Sequence, residues 1–116
     1  MATTKEDAEN FLCRFKEKKK VFDIAFDRKT KNIQGYLDLD ITPAAREIYI
    51  EKLTADEYSS GPNEDTHTPG SPDYWVFGSI IKNKEVYIKL TMGQENNRVV
   101  CMSFHIAEGP MSYPFK

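Results

Sequence analysis

The sequence has little of several features that mark large classes of protein. Its two cysteines, Cys13 and Cys101, are too few for a disulfide framework or a four-ligand zinc site. Its longest apolar runs, such as 74–77 and 99–102, are too short to span a membrane. Met1 is followed by polar and charged residues, so no secretory signal is expected. These absences predict a soluble, cytoplasmic protein with no membrane partner.

An excess of one charge sign is also missing. The 116 residues include 16 basic and 18 acidic side chains, a net charge of −2, which excludes a highly charged disordered segment or nucleic-acid tail. P-loop, GxGxxG, HExxH, GxSxG and paired CxxC motifs are absent, and no cofactor or metal is indicated. Because 40% of the residues are hydrophobic, the chain can bury one core of useful size. We predict a single domain over residues 1–116.

The first half of the chain has helical patterns. Apolar residues at helical spacing predict an amphipathic helix over 4–19, and Thr4 with Asp7 resembles a capping pair. Later elements are predicted as a strand or extended connector over 21–26, helices over 29–40 and 43–53, and a helical turn at 54–57. The core-facing positions predicted on these helices are Ala8, Phe11, Leu12, Phe15, Ala44, Ile48, Ile50 and Leu53.

The second half of the chain changes to strand patterns. Residues 59–73 are rich in glycine and proline and predict a long loop. Three strand-like runs follow at 74–81, 85–92 and 98–106, and their short connections favour an antiparallel meander. Helices first and strands last predict an α+β fold, with N-terminal helices packed on a C-terminal antiparallel β-sheet.

Alternation along the last two strands separates an apolar face from a mixed one. Pairing Lys89 with Cys101 and Tyr87 with Ser103 places His105 diagonally beyond Tyr87, within reach of its side chain. The plain alternative is an ordinary solvated sheet face, which displays polar side chains in any case. The predicted apolar face contains Val86, Ile88, Leu90, Val100, Met102, Phe104 and Ile106, and the mixed face contains Tyr87, Lys89, Cys101, Ser103 and His105.

The mixed face suits the cleavage of a phosphodiester without a metal ion. His105 can act as acid or base near neutral pH, and Lys89 can stabilise negative charge in the transition state. Tyr87 can position the phosphate or share the proton transfer. Cys101 is either a thiol nucleophile or a small buried hydrophobic residue. Further substrate contacts are predicted at Arg98, Tyr113 and Lys116. The aromatic tail at 113–116 could stack a single-stranded base.

The basic residues are concentrated in one stretch. Between Arg14 and Lys31 there are eight basic and three acidic residues, a local charge of +5. Such a stretch is either a patch that attracts RNA or the solvated end of a helix.

Several segments resemble the MqsR family, toxins of type II toxin–antitoxin systems with the compact α+β fold of the RelE/ParE superfamily. The resemblance covers residues 33–105. It is carried by the segment Ile48–Tyr58, by Trp75, by the V-Y-I-K-L strand at 86–90 and by the V-x-x-S-F pattern at 100–104.

The resemblance implies a metal-independent endoribonuclease that cleaves single-stranded mRNA and is neutralised by a cognate antitoxin protein. The family's strand tyrosine and lysine fall on Tyr87 and Lys89, and His105 stands where the best-known member has a lysine. The family's other lysine and its glutamine fall on Ser59 and Val76, so two polar groups are replaced. The alternatives are a non-catalytic protein-binding module, or a degenerate toxin that binds RNA or antitoxin without cleavage.

Overall fold

The computed structural model describes residues 2–116, in which three helices accompany a five-stranded sheet. The elements in chain order are α1 (Lys5–Phe22), β1 (Ile24–Phe26), α2 (Thr30–Asp38), α3 (Ala45–Glu51), a short 3-10 turn (Ala55–Glu57), β2 (Tyr58–Asn63), β3 (Tyr74–Ile81), β4 (Lys84–Thr91) and β5 (Val99–Ile106). The helices precede the long strands, so the predicted α+β class is confirmed. No helix within residues 2–116 is long and apolar enough to cross a membrane.

The sheet has the strand order β1-β5-β4-β3-β2. Strands β3, β4 and β5 form the predicted antiparallel meander, and Lys82 and Asn83 make the first turn with positive φ angles of 50° and 68°. Strand β1 pairs in parallel with the first half of β5. The sheet is therefore mixed. After α1 the chain runs along β5 in the same direction as that strand, and it forms the short parallel strand β1 there.

The predicted loop over residues 59–73 is wrong in its first part. Residues Tyr58–Asn63 form β2, which pairs antiparallel with β3 and shifts register twice. The sequence Y-S-S-G-P-N was predicted as a loop because glycine and proline are both unfavourable in sheets. They are tolerated here because β2 lies at the edge of the sheet, where one side of the backbone needs no partner.

Helix α1 covers one face of the sheet. Its four predicted core residues are buried, the Thr4–Asp7 capping box is formed, and the helix continues three residues beyond the prediction. The Phe11 ring stacks on Trp75 at 4.6 Å between centroids and lies 6.1 Å from the Phe77 ring. This face is called the helix face below.

Helix α3 turns a different side inward than predicted. Ile50 and Leu53 are buried as expected, but Ala44 and Ile48 are exposed. Arg46 lies inward instead, with its guanidinium 4.0 Å from the Phe26 ring centroid and 5.0 Å from that of Tyr36. Stacking on two rings lets this charged side chain lie inward.

Strand β5 contains a bulge that changes which residues face the core. Lys89 lies opposite Ser103 and Leu90 lies opposite Cys101, so Met102 is an extra residue on β5. The predicted pairing of Lys89 with Cys101 is therefore wrong by two positions. Alternation restarts after the bulge, which is why a strict period of two fails here. Val99, Cys101 and Phe104 are buried on the helix face, whereas Val100 and Met102 are half-buried.

Helix α2 lies against the second half of β5, beyond the end of β1. The Asn32 side chain donates to the Met102 carbonyl at 3.1 Å and accepts from the Phe104 amide at 3.0 Å, so it replaces a neighbouring strand. A Cβ on Gly35 would lie 2.6 Å from the Phe104 carbonyl oxygen and 2.8 Å from the His105 Cα. The glycine within this helix thus permits the close approach that brings α2 beside His105.

Candidate functional site

A groove of about 870 Å³ lies on the sheet face opposite α1, called the groove face below. Its floor comes from three adjacent strands, with Val76 on β3, Tyr87 on β4, and Ser103 and His105 on β5. Its remaining lining residues are Lys29, the N-cap of α2, and Lys31 in the first turn of that helix, Ser59 and Ser60 of β2, and residues 107–112 that follow β5, which are Ala107, Glu108, Gly109, Pro110, Met111 and Ser112.

Tyr87 and His105 form a stacked pair on this floor. They lie directly opposite each other on β4 and β5, with ring centroids 5.3 Å apart and ring planes at 16°. The His105 Nδ1 lies 2.9 Å from the Ile106 carbonyl oxygen. Because a carbonyl only accepts, Nδ1 carries the proton in the neutral ring and Nε2 keeps its lone pair. His105 is thereby prepared to accept a proton at Nε2 and, once charged, to donate one.

The Tyr87 phenol is held in its protonated form. Burial raises the pKa of Tyr87 above its usual range, and the neighbouring Tyr74 adds to the rise. A protonated hydroxyl is a hydrogen-bond donor. Tyr87 can therefore donate to a phosphate oxygen at neutral pH.

Lys89 lies beside the groove rather than in its lining. Its Nζ lies 4.0 Å from the centroid of the Tyr74 ring, a cation–π contact. Burial, and after it the charge of Lys29, lowers the pKa of Lys89 below that of an ordinary lysine. The structure therefore brings Tyr87 and His105 together and leaves Lys89 adjacent on the same strand face.

None of the three predicted substrate contacts lines the groove. Arg98 lines a separate cavity of about 430 Å³ together with Asp27 and Asp65. The Tyr113 hydroxyl donates to Glu85 Oε2 at 2.7 Å, and burial raises the pKa of Tyr113 above its ordinary value. The Lys116 Nζ lies 5.3 Å from the Tyr113 ring centroid.

The C-terminal segment, residues 107–116, forms one wall of the groove. It crosses the sheet from β4 towards β2. The Ala107 amide donates to the Glu85 carbonyl at 2.9 Å, the Tyr113 ring covers Gly78, and Phe115 stacks on Tyr58 with centroids 4.8 Å apart. The stacking surface predicted for an RNA base is only the end of this segment, residues 113–116, and its aromatic rings pack on the sheet instead. A glycine inside an otherwise bulky strand was the available signal that something packs closely there.

The basic stretch has two parts with different roles. Lys16 and Lys18 donate to the carbonyls of Leu53 and Met92, at 2.8 Å and 2.6 Å, and Lys19 forms ion pairs with two glutamates of α3. These cations hold α1 to its neighbours. Only the last part of the stretch reaches the groove, where Lys29 and Lys31 lie. The local charge of this stretch is visible in the sequence, but the two lysines were not among the predicted site residues.

Cys101 does not belong to the site. It is 1% exposed on the helix face, and burial raises its pKa to about 12. The prediction that it lies on the same face as His105 is wrong, because of the β5 bulge. Its thiol is protonated at neutral pH, so the hydrophobic role is the correct one of the two weighed from the sequence.

Two further positions named by the resemblance lie in the same groove. Ser59 and Val76, where the family has its lysine and glutamine, line it together with Tyr87 and His105. Within residues 2–116, no three histidine, cysteine, aspartate or glutamate side chains come together as a metal-binding group. No protein family, curated protein or solved structure matches this chain.

Proposed function

We propose that this protein is a toxin-type endoribonuclease that cleaves single-stranded mRNA without a metal ion and is neutralised by a cognate antitoxin. The observation that carries the proposal is the stacked Tyr87–His105 pair on the floor of a groove that Lys29 and Lys31 also line. A proton-transfer group, a hydroxyl donor and cations are the parts that RNA cleavage by its own 2′-hydroxyl requires.

The chemistry starts with attack of the 2′-oxygen on the adjacent phosphorus, while the bond from phosphorus to the 5′-oxygen breaks. The 2′-hydroxyl loses a proton and the leaving 5′-oxygen gains one. His105 serves one of these two transfers: either the neutral ring accepts the first proton at Nε2, or the charged ring donates the second. Solvent water is the partner in the other transfer. Tyr87 donates a hydrogen bond to the phosphate, and Lys89 stabilises the charge added in the transition state.

A protein partner is supported by exposed apolar side chains on α2. Ile33 and Leu37 are 42% and 59% exposed, and their spacing of four residues places them on the same side of the helix. A paired apolar surface of this kind fits the proposed antitoxin. The same surface fits the alternative of a non-catalytic binding module, so RNA cleavage is the measurement that separates the two functions.

The test compares His105→Ala with His67→Ala, which removes the exposed histidine of the 64–73 loop. Purified variants are incubated with a single-stranded RNA in the presence of a chelator, and each is also expressed while growth and RNA integrity are followed. We expect His105→Ala to lower the cleavage rate by about 10²- to 10⁴-fold, the usual value of one proton transfer, and His67→Ala to leave it unchanged.

The pH dependence assigns the role of His105. A cleavage rate that rises with pH and loses this rise in His105→Ala indicates the base, and a rate that falls with pH in the same dependent way indicates the acid. Intact RNA and normal growth with the wild-type protein would refute the enzyme proposal, and full activity of His105→Ala would refute the site. Co-expression of the product of an adjacent gene should restore growth if that product is the antitoxin.

A further inference from the structure

The charged groups that line the groove are few and lie on its walls. Among the described residues of the lining, Lys29 and Lys31 are the lysines and Glu108 is the carboxylate, whereas the floor residues Val76 and Ser103 are neutral. Among residues 2–116, a phosphate that enters the groove therefore meets the charge of lysine side chains only on the wall formed by the start of α2. The position of this wall determines where the backbone of a bound nucleic acid lies.

One of these lysines already binds an anion from the protein itself. Lys31 Nζ lies 2.6 Å from Glu108 Oε1, and this ion pair joins α2 to the C-terminal segment. Each side chain is 65% exposed, so the pair is in water and contributes little to the stability of the fold. An ion pair of this kind is readily exchanged for another anion.

We propose that Lys29 and Lys31 bind a backbone phosphate of the single-stranded nucleic acid, next to the phosphate that is cleaved, and that Glu108 occupies Lys31 until this phosphate displaces it. This inference rests on the proposed function, since it names the groups of the same groove that hold the substrate. Glu108 thereby acts as an internal competitor of the substrate.

The electrostatics of the neighbouring groups agree with this arrangement. The Lys31 ammonium lowers the pKa of Glu108, so the carboxylate is charged at neutral pH and competes as an anion. Burial and, after it, the charge of Lys29 lower the pKa of Lys89, so Lys29 is close enough to influence the predicted catalytic lysine. A phosphate on Lys29 would reduce the repulsion between the two lysines.

The experiment measures binding separately from cleavage. The probe is a fluorescent single-stranded DNA oligonucleotide, which lacks the 2′-hydroxyl and cannot be cleaved by the proposed chemistry. Its affinity is measured by anisotropy at several salt concentrations for the wild type and for Lys29→Gln, Lys31→Gln, Glu108→Gln and the double variant Lys31→Gln/Glu108→Gln. Two exposed residues of α1 serve as matched controls, as Lys20→Gln and Glu9→Gln.

We expect Lys29→Gln and Lys31→Gln each to weaken binding and to reduce the slope of log affinity against log salt by about 0.7, the loss of one contact to a single strand. Glu108→Gln should strengthen binding by about two- to fivefold, the range of an exposed ion pair. In the double variant, removal of Glu108 should have no effect, because its competition acts through Lys31. The control variants should bind like the wild type.

The outcomes separate this inference from the proposed function. Unchanged affinity and salt slope for both lysine variants would overturn the phosphate site. An equal gain from Glu108→Gln with and without Lys31 would overturn the competition, since a general change of charge would then explain it. If the expected binding pattern appears but RNA is not cleaved, the phosphate site stands and the endoribonuclease proposal fails.

Discussion

The two faces of the sheet are built on different principles. On the helix face, α1 contributes Phe11 and Phe15 to a continuous apolar core with strand residues such as Phe77 and Ile88, all at most 2% exposed. On the groove face, the contacts between strands and covering segment are few and specific, such as the Tyr113 hydroxyl on Glu85. The same strands therefore carry stability on one face and polar chemistry on the other.

The difference separates what folding requires from what the site requires. Burial of apolar area is nondirectional and tolerates many sequences, whereas the groove depends on a few close contacts. A substitution on the helix face should lower the stability of the whole molecule. A substitution on the groove face should alter the site at a smaller cost in stability.

The largest expected effect comes from removing an aromatic ring from the helix face. Phe77→Ala should lower the free energy of unfolding by about 3–5 kcal/mol, because Phe77 is fully buried and its loss leaves a cavity. Tyr87→Ala, the matched change on the groove face, should cost less, since Tyr87 is half-buried and mainly loses its stack on His105. Chemical denaturation of both variants measures the two values.

An equal loss of stability in the two variants would break the comparison between the faces. Activity provides the complementary readout, because Tyr87→Ala should abolish most cleavage while it remains folded. A folded Phe77→Ala variant should retain cleavage at low temperature.

A medium effect is expected where the C-terminal segment meets the sheet. A Cβ on Gly78 would overlap the Tyr113 ring, with 2.8 Å to its Cε1 atom, so Gly78→Ala should displace this segment. We expect a loss of about 1–3 kcal/mol, typical of an added methyl group in a packed site, and a lower cleavage rate, because residues 107–112 form a wall of the groove.

Gly109→Ala is the matched control for stability, since no atom of residues 2–116 lies within 4 Å of the Cβ it would add. This variant should keep the stability of the wild type. If Gly78→Ala keeps the stability and the cleavage rate of the wild type, the C-terminal segment does not form the wall in solution.

The fold was predictable where one physical signal dominates. The apolar spacing of α1 and the alternation in β3 and β4 each reflect burial of one side of an element. The register of β5 was not predictable, because the extra residue Met102 has no signature in a run of apolar residues. Strand β2 was not predicted because its composition gave a misleading signal. Its glycine and proline are unfavourable in most strands but acceptable in a strand at the edge of a sheet.

The site was predictable in its floor and not in its walls. Strand alternation predicted Tyr87 and His105 on one face, although it paired Tyr87 with Ser103 instead of His105 and wrongly added Cys101 to that face. Lys29, Lys31 and Glu108 come from segments far apart in sequence, and only the packing of Gly35 and Tyr113 brings these segments to the sheet. The spacing of residues within one segment does not indicate which distant segments pack against each other.

The smallest expected effect concerns the charge of the groove face. The pKa of Lys89 lies below its ordinary value of 10.5 because burial, and next the charge of Lys29, disfavour the protonated form. For a base with a lowered pKa in the folded state, the unfolded chain binds more protons. The free energy of unfolding should therefore rise slightly with pH in the window just below 10.5.

Titration of the lysine Cε signals by NMR tests this account of Lys89. Lys29→Gln should raise the pKa of Lys89 part of the way to its ordinary value, because the repulsion disappears while burial remains. Lys84→Gln, an exposed lysine of the same strand, should leave the Lys89 titration unchanged. A pKa at or above 10.5 in the wild type would contradict burial of Lys89 beside Tyr74. An unchanged pKa in Lys29→Gln would instead show that the potential of the groove wall does not reach Lys89, and the two faces would then differ in packing alone.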